Sequence, residues 1–196
     1  MKYFYFVFIF LSSNVFSQNV DINILKNINL HRNKNLDNNF INLSNTVAPA
    51  SIIVPIGLIG AGFLMQDSTL KNKSLVIGAS ITLTLGLTAG LKFATNRTRP
   101  YITYPILDNV VDENTPSFPS GHTSMAFSTA TSLSLAFPKW YIIAPTYLWA
   151  GAVSYSRMHL GVHYPTDVLG GAIIGAGTSY LCYKANEWLH LPHRKK

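Results

Sequence analysis

From Val47 onward the chain falls into five apolar blocks: Val47–Met65, Ser74–Leu91, Thr123–Pro138, Trp140–Ser156 and Val168–Tyr183. They are parted by short runs of charged and turn residues. Each block holds roughly 16 to 19 residues, which is too long for strands of about 5 to 6 residues and just under the ~20 of a comfortable membrane span. The regular apolar–polar alternation of strands is also missing. Gly, Ala, Ser and Thr recur within the blocks, as they do where helices pack closely in lipid, although TSMAFSTATSLSLAF would suit a buried helix of a soluble bundle equally well. The expected fold class is all-α: one domain, a bundle of about five core helices of transmembrane type, with short amphipathic helices before them. A single cysteine, Cys182, rules out an internal disulfide, so packing must hold the bundle together.

Charge placement gives the bundle a direction. If the five helices alternate, one end collects Lys71, Lys73, Lys139, Lys184, Arg194, Lys195 and Lys196 against Asp67 and Glu187. The other end holds Lys92, Arg97, Arg99 and Arg157, balanced by Asp108, Asp112, Glu113 and Asp167. Positive residues favour the cytoplasmic side, so the first end is expected inside and the second outside. A net charge of +7 could serve nucleic acid, anionic lipid or a phosphorylated substrate. Its split between the two bundle ends favours the last two and no nucleic acid.

The N-terminus, MKYFYFVFIFLSSNVFSQ, has one lysine, an apolar run and then small residues. It is expected to be an export signal over 1–17, either cleaved after Ser17 or kept as an anchor. Residues 18–46 are asparagine-rich with apolar residues three and four apart, predicting short amphipathic helices on a membrane or across a bundle, with little functional content. Residues 185–196 form an expected basic cytoplasmic tail.

Three polar clusters interrupt the apolar blocks: KFATNRTRP at 92–100, PSFPSGHTS at 116–124 and SRMHLGVHYPTD at 156–167. Alternating helices bring all three to the outer end. Lys92, Arg99 and Arg157 would repel one another there unless an anion lay between them, and a tetrahedral phosphate has oxygens for all three. Ser120 and Gly121 open a helix whose first backbone amides also favour an anion. His163 stands four residues before Asp167, so the carboxylate can hold one ring nitrogen and leave the other to attack phosphorus. His122, from another helix, is placed to act as general acid and then as general base. Together these residues describe a two-step phosphoryl transfer through a phosphohistidine.

Lys92-x6-Arg99-Pro100, Pro119-Ser120-Gly121-His122 and Ser156-Arg157-x5-His163-x3-Asp167 resemble, in order, the three-part signature of the phosphatidic acid phosphatase type 2 superfamily. That superfamily contains lipid phosphate phosphatases, exported acid phosphatases and vanadium haloperoxidases, and residues 18–46 look more like its membrane-bound lipid phosphatases. The resemblance implies a phosphatase domain over 47–184. It assigns Lys92, Arg99, Ser120, Gly121 and Arg157 to the phosphate, His122 to acid–base work, His163 to attack and Asp167 to its support. It further implies no metal and no cofactor, and a phosphorylated lipid as substrate: lipid A, undecaprenyl diphosphate, a phosphatidylglycerol phosphate or phosphatidic acid. The place implied is a bacterial cytoplasmic membrane, with the site facing the periplasm or exterior.

Other readings weigh against these. His159 and His163 could form a metal pair at helical spacing, but Arg157 would repel the cation, so His159 is expected to be structural. Arg97 could be a fourth phosphate contact, but it reads first as a capping charge at a helix end. Asp108, Asp112 and Glu113 read as a solvated loop, with a role over the site as the alternative. Trp140, Trp149 and Trp188 read as interfacial anchors or core. The competing functions are a soluble exported acid phosphatase of broad specificity, haloperoxidase chemistry with bound vanadate, and a scaffold without activity.

Overall fold

A computed structural model describes residues 20–190; the expected signal over 1–17 and the end of the basic tail lie outside them. Helix α1 (20–30) and a 3-10 turn (Lys34–Leu36) lead into α2 (Asp37–Asn45) and α3 (Val47–Leu64). After these come α4 (Ser68–Thr95), a short α5 (Pro100–Thr103), α6 (Gly121–Ala136), α7 (Trp140–His159) and α8 (Pro165–His190). The described residues contain no strand. The five apolar blocks are α3, α4, α6, α7 and α8, and each of the last four runs past its block into the polar clusters. A helix continues until its backbone is capped, not until its side chains turn polar. At α4, Asp67 accepts from the Thr69 and Leu70 amides at 2.8 and 3.1 Å, and Asn96 closes the helix in the left-handed conformation.

Helix α6 is the centre of the bundle and packs on α8, α7, α4 and α3. Its contact with α8 is possible because two glycines lie on the shared face. A Cβ on Gly171 would stand 2.7 Å from the Ser120 carbonyl oxygen, and one on Gly175 would stand 2.1 Å from that of Ser124. The seam between α4, α6 and α8 is then filled by hydroxyls. Thr84 donates to Ser128 at 3.0 Å and also meets Thr178, while Ser179 exchanges hydrogen bonds with Ser128 and Ser132 at 3.0 Å. Small side chains let the backbones approach, and each of these five hydroxyls finds a partner across the gap.

Ile77 and Ile81 of α4 are buried against Ala136 of α6, but many large apolar side chains point the other way. Ile52, Ile53, Ile56, Phe63 and Leu64 on α3, and Leu75, Leu83, Leu85 and Leu87 on α4, are exposed. Two helical stretches, Lys34–Leu64 and Ser68–Thr103, are long and apolar enough to cross a membrane, and only 17% and 33% of their apolar windows are buried in the bundle. A soluble core helix would bury most of that surface, so these faces suit lipid. Trp140 and Trp188 are exposed at the end away from the polar clusters, as interfacial anchors would be. Trp149 instead donates to the Thr46 hydroxyl at 2.9 Å.

The segment before α3 has more structural content than its composition suggests. Ile22 and Leu25 are buried against Leu107 and Tyr164, so α1 lies across the end of the bundle that carries the polar clusters. Asn29, fully buried, accepts from the Asp108 amide and donates to the carbonyls of Asp108 and His159, each at 3.0 Å. It can do so because Gly161, at φ +76°, leaves the space a Cβ would fill 2.9 Å from the Asn29 amide nitrogen.

Candidate functional site

The last turn of α4, the start of α6 and the turn from α7 into α8 surround one cavity of about 290 Å³. Lys92, Arg99, Gly121, His122 and His163 line it, with Val47, Ala48 and Met125 as an apolar wall on the side of α3. Lys92 passes over Gly121, where a Cβ would stand in ordinary contact with its Cε at 3.9 Å. The Lys92 ammonium donates to the Pro116 carbonyl.

Arg99 is fixed by the backbone. It donates to the carbonyls of Thr115 at 2.8 Å and Val162 at 2.9 Å, and to the Thr115 hydroxyl at 3.1 Å. Arg157, at the end of α7, donates through Nη1 to the Ser44 hydroxyl at 2.7 Å. Its buried Nε has no partner among the described residues, leaving a donor to spare. Ser120 is the exception among the expected phosphate contacts. Its side chain is buried below the cavity and accepts from Thr123 at 3.1 Å, while its amide donates to the Asp167 carbonyl at 3.0 Å and ties α6 to α8.

His163 sits in the turn just before α8. Its Nδ1 lies 3.5 Å from Asp167 Oδ2 and its Nε2 lies 3.4 Å from Arg99 Nη1. One ring nitrogen therefore faces the carboxylate and the other faces the cations. Burial holds the imidazole down at about 4, against the pull of Asp167 in the other direction, so the ring is neutral near pH 7. Asp167 Oδ2 accepts from the Ser117 hydroxyl at 2.5 Å and the Tyr164 amide at 2.9 Å, and Oδ1 accepts from Arg97 at 2.6 Å.

Two polar residues take places that their sequence context did not give them. Glu113, expected in a solvated loop with a role over the site as the alternative, reaches into the cage, where Oε2 accepts from Arg99 at 3.2 Å and Oε1 accepts from Arg157. Burial would raise its carboxyl, but Arg157 and Arg99 outweigh that and hold it below the usual carboxylate range. Arg97, expected as a capping charge, bridges Asp167 to Asp21 of α1, with Nη2 at 2.8 Å from Asp21 Oδ2, and stacks on Tyr164 at 4.0 Å.

The rest of that loop is tied to the N-terminal segment: Asp108 pairs with Arg32 at 2.9 Å and Lys34 at 2.8 Å. His159 is structural, as expected, with Nε2 2.8 Å from Asp37 Oδ1 and its ring against Phe40. No group of three His, Cys, Asp or Glu side chains able to hold a metal occurs among the described residues. A second cavity of about 420 Å³, lined by polar residues such as Asn96, Arg97 and Asn114, lies on the other side of Arg99, Glu113 and Thr115. These three residues border both spaces.

Three converging cations, a helix start and an oriented neutral imidazole can hold and attack a tetrahedral oxyanion. A helical membrane bundle that carries this at one end belongs to the class of phosphate-handling membrane proteins. Within that class the chain is a member of the PAP2 superfamily, whose family model matches residues 73–190. It is similar over 84% of its length to the crystal structure of Aquifex aeolicus LpxE, at 31% identity and a TM-score of 0.71, covering 95% of that chain. The crystal structure of a transmembrane PAP2 type phosphatidylglycerolphosphate phosphatase from Bacillus subtilis aligns with a TM-score of 0.75 at 26% identity, covering 97% of this chain and 96% of that one. An undecaprenyl-diphosphatase from Sulfolobus acidocaldarius is 36% identical over 112 residues, 55% of this chain and 52% of that protein. The chain spans about half the length of the curated relatives it matches most strongly, or less.

Proposed function

We propose that the protein is a metal-independent phosphatase that removes phosphate from a membrane lipid through a phosphohistidine. The observation that carries this reading is the orientation of His163. Nδ1 points at Asp167 and Nε2 points into a cavity bounded by cations on one side and by an apolar wall on the other. The phosphate of a lipid lies among Lys92, Arg99, Arg157 and the first amides of α6, while its hydrocarbon side faces Val47, Ala48 and Met125.

The His163 Nε2 lone pair forms the N–P bond as the bond from phosphorus to the lipid oxygen breaks. Protonated His122, its imidazolium favoured by the negative charge of the bound phosphate, gives one proton to that oxygen. Asp167 holds Nδ1–H and compensates the positive ring. Water then attacks phosphorus, His122 takes its proton, the N–P bond breaks, and inorganic phosphate is released with His163 neutral again.

The substrates proposed are lipid A, undecaprenyl diphosphate or a phosphatidyl phosphate. The relatives named for undecaprenyl diphosphate and for phosphatidylglycerolphosphate support a lipid-linked phosphate of this kind. The proposed location is the bacterial cytoplasmic membrane with the site on the outer side, supported by the basic residues at the opposite end of the bundle. The test is phosphate release by the purified protein from each lipid in mixed micelles, with and without a chelator. Release that persists in chelator supports the reading; wild-type protein that releases no phosphate from any of them overturns it.

A further inference from the structure

We propose that Asp21 and Arg97 are positioning residues that complete a four-membered chain behind the nucleophile, His163–Asp167–Arg97–Asp21, and set its charge. This deepens the phosphohistidine reading above and rests on it.

The two arginine links are hydrogen bonds, and the first link is an approach at ion-pair distance by a His163 Nδ1 that has no hydrogen-bond partner among the described residues. Asp167 Oδ2 faces His163 Nδ1 at 3.5 Å, and Arg97 Nη1 donates to the opposite oxygen, Oδ1, at 2.6 Å. Through Nη2 the same guanidinium donates to Asp21 Oδ2 at 2.8 Å. Asp21 also accepts from the Thr166 amide at 2.9 Å and the Thr166 hydroxyl at 2.5 Å, so it caps the start of α8 from a different helix. Arg97 donates to that hydroxyl too, at 2.7 Å. Asp21 is only 4% exposed and Asp167 is fully buried, while the Arg97 side chain between them is 29% exposed, so water reaches the chain only at its middle link.

The charges explain why a second aspartate is there. An arginine alone would orient Asp167 but cancel the negative charge that a phosphorylated ring needs. With Asp21 added, Asp167, Arg97 and Asp21 together carry one negative charge while His163 is neutral. When Nε2 bonds phosphorus and Nδ1 keeps its proton, the ring gains one positive charge and the chain becomes neutral. Arg97 thus supplies geometry and Asp21 returns the charge that Arg97 removes.

The charged and titratable groups facing His163 are Asp167 from α8, Arg99 from the linker after α4, Lys92 from α4, His122 from α6, Arg157 from α7 and Glu113 from the long loop. Those facing Asp167 are His163, Arg97, Arg99 and Lys92. Asp21 reaches the ring through Arg97 and through its cap on Thr166, and it bonds to none of the proposed phosphate-binding side chains, so its substitution leaves the phosphate seat intact.

The experiment uses the full chain in detergent, with phosphatidic acid in mixed micelles as substrate and orthovanadate as a second probe. Asp21→Asn keeps the shape and removes the charge. It is expected to lower kcat by roughly ten- to a hundredfold, as loss of an outer partner does elsewhere, with KM changed less than about twofold. The acid limb of kcat/KM should move to lower pH, because the uncompensated Arg97 disfavours a protonated ring. Leu25→Ala loosens α1 without touching charge; it should lower Tm and leave the limb in place. A wild-type kcat in Asp21→Asn, or a reduced kcat with an unmoved limb, overturns the proposal. If wild-type protein releases no phosphate from any lipid, the phosphatase reading fails, and vanadate binding by calorimetry still decides this one. Weaker binding to Asp21→Asn supports it and equal binding overturns it.

Discussion

Arg157 and Ser44 lie 113 positions apart in sequence and meet at 2.7 Å, the hydroxyl accepting from Nη1. Ser44 is 1% exposed, so the last turn of α2 fixes a cation of the cage from a segment that carries none of the three motifs. A hydrogen bond to a charged group contributes about 1.5–3 kcal/mol. Ser44→Ala is therefore expected to raise the KM for a lipid phosphate about tenfold or more while helicity by circular dichroism stays unchanged.

Glu113 holds Arg99 and Arg157 where the phosphate is proposed to bind. A carboxylate kept ionised by two arginines competes with any other anion for them. Glu113→Gln should strengthen inhibition by inorganic phosphate several-fold at pH 7, measured as a lower inhibition constant. The difference should shrink as the pH falls far enough to protonate the wild-type carboxyl.

Removal of the nucleophile has a larger effect. His163→Ala is expected to lower phosphate release by at least about a thousandfold, the scale lost when a covalent nucleophile is removed. Its thermal unfolding should stay cooperative, which separates loss of chemistry from loss of fold.

The His163 ring also predicts a pH dependence. Its proton leaves at about 4 in the folded protein against an ordinary value of 6.5. Between these values the unfolded chain binds more protons, so stability falls as pH drops through that window, and the full contribution is present above 6.5. Activity limited by this ring should persist below pH 6 and fail on approaching 4, read from kcat/KM at constant ionic strength.

The close approach of α6 and α8 gives a stability prediction. At Gly175 a Cβ would overlap the Ser124 carbonyl at 2.1 Å, and the atom it meets is backbone, which cannot swing aside. Gly175→Val should cost about 3 kcal/mol or more by overpacking, seen as a large fall in Tm or failure to recover folded protein.

How much of this was legible in the sequence differs by element. The five helices were, because apolar runs of that length leave few alternatives, and the motif residues were because alternating helices bring their ends together. Glu113, Arg97, Asp21 and Ser44 were not. Arg97 and Glu113 read as ordinary end and loop charges, and their roles come from partners that spacing does not reveal: Asp21 lies 76 positions from Arg97 and Arg157 lies 44 from Glu113. Ser120 shows the converse, a motif residue whose side chain turns into the packing and whose backbone does the joining. Local sequence reports where a helix runs; it says little about which side chain from a remote helix closes a hydrogen bond.

The hydroxyl seam of α4, α6 and α8 makes the bundle inside-out relative to a water-soluble protein, with alcohols at its centre and leucine and isoleucine at its rim. Because those three helices are joined by directional bonds and close backbone fit, water exclusion is not what holds them together. Exchanging the surrounding amphiphile, from bilayer to micelle or polymer disc, should therefore leave the inner scaffold unchanged and alter only the outer coat. The geometry at the end that carries the polar clusters inherits that indifference.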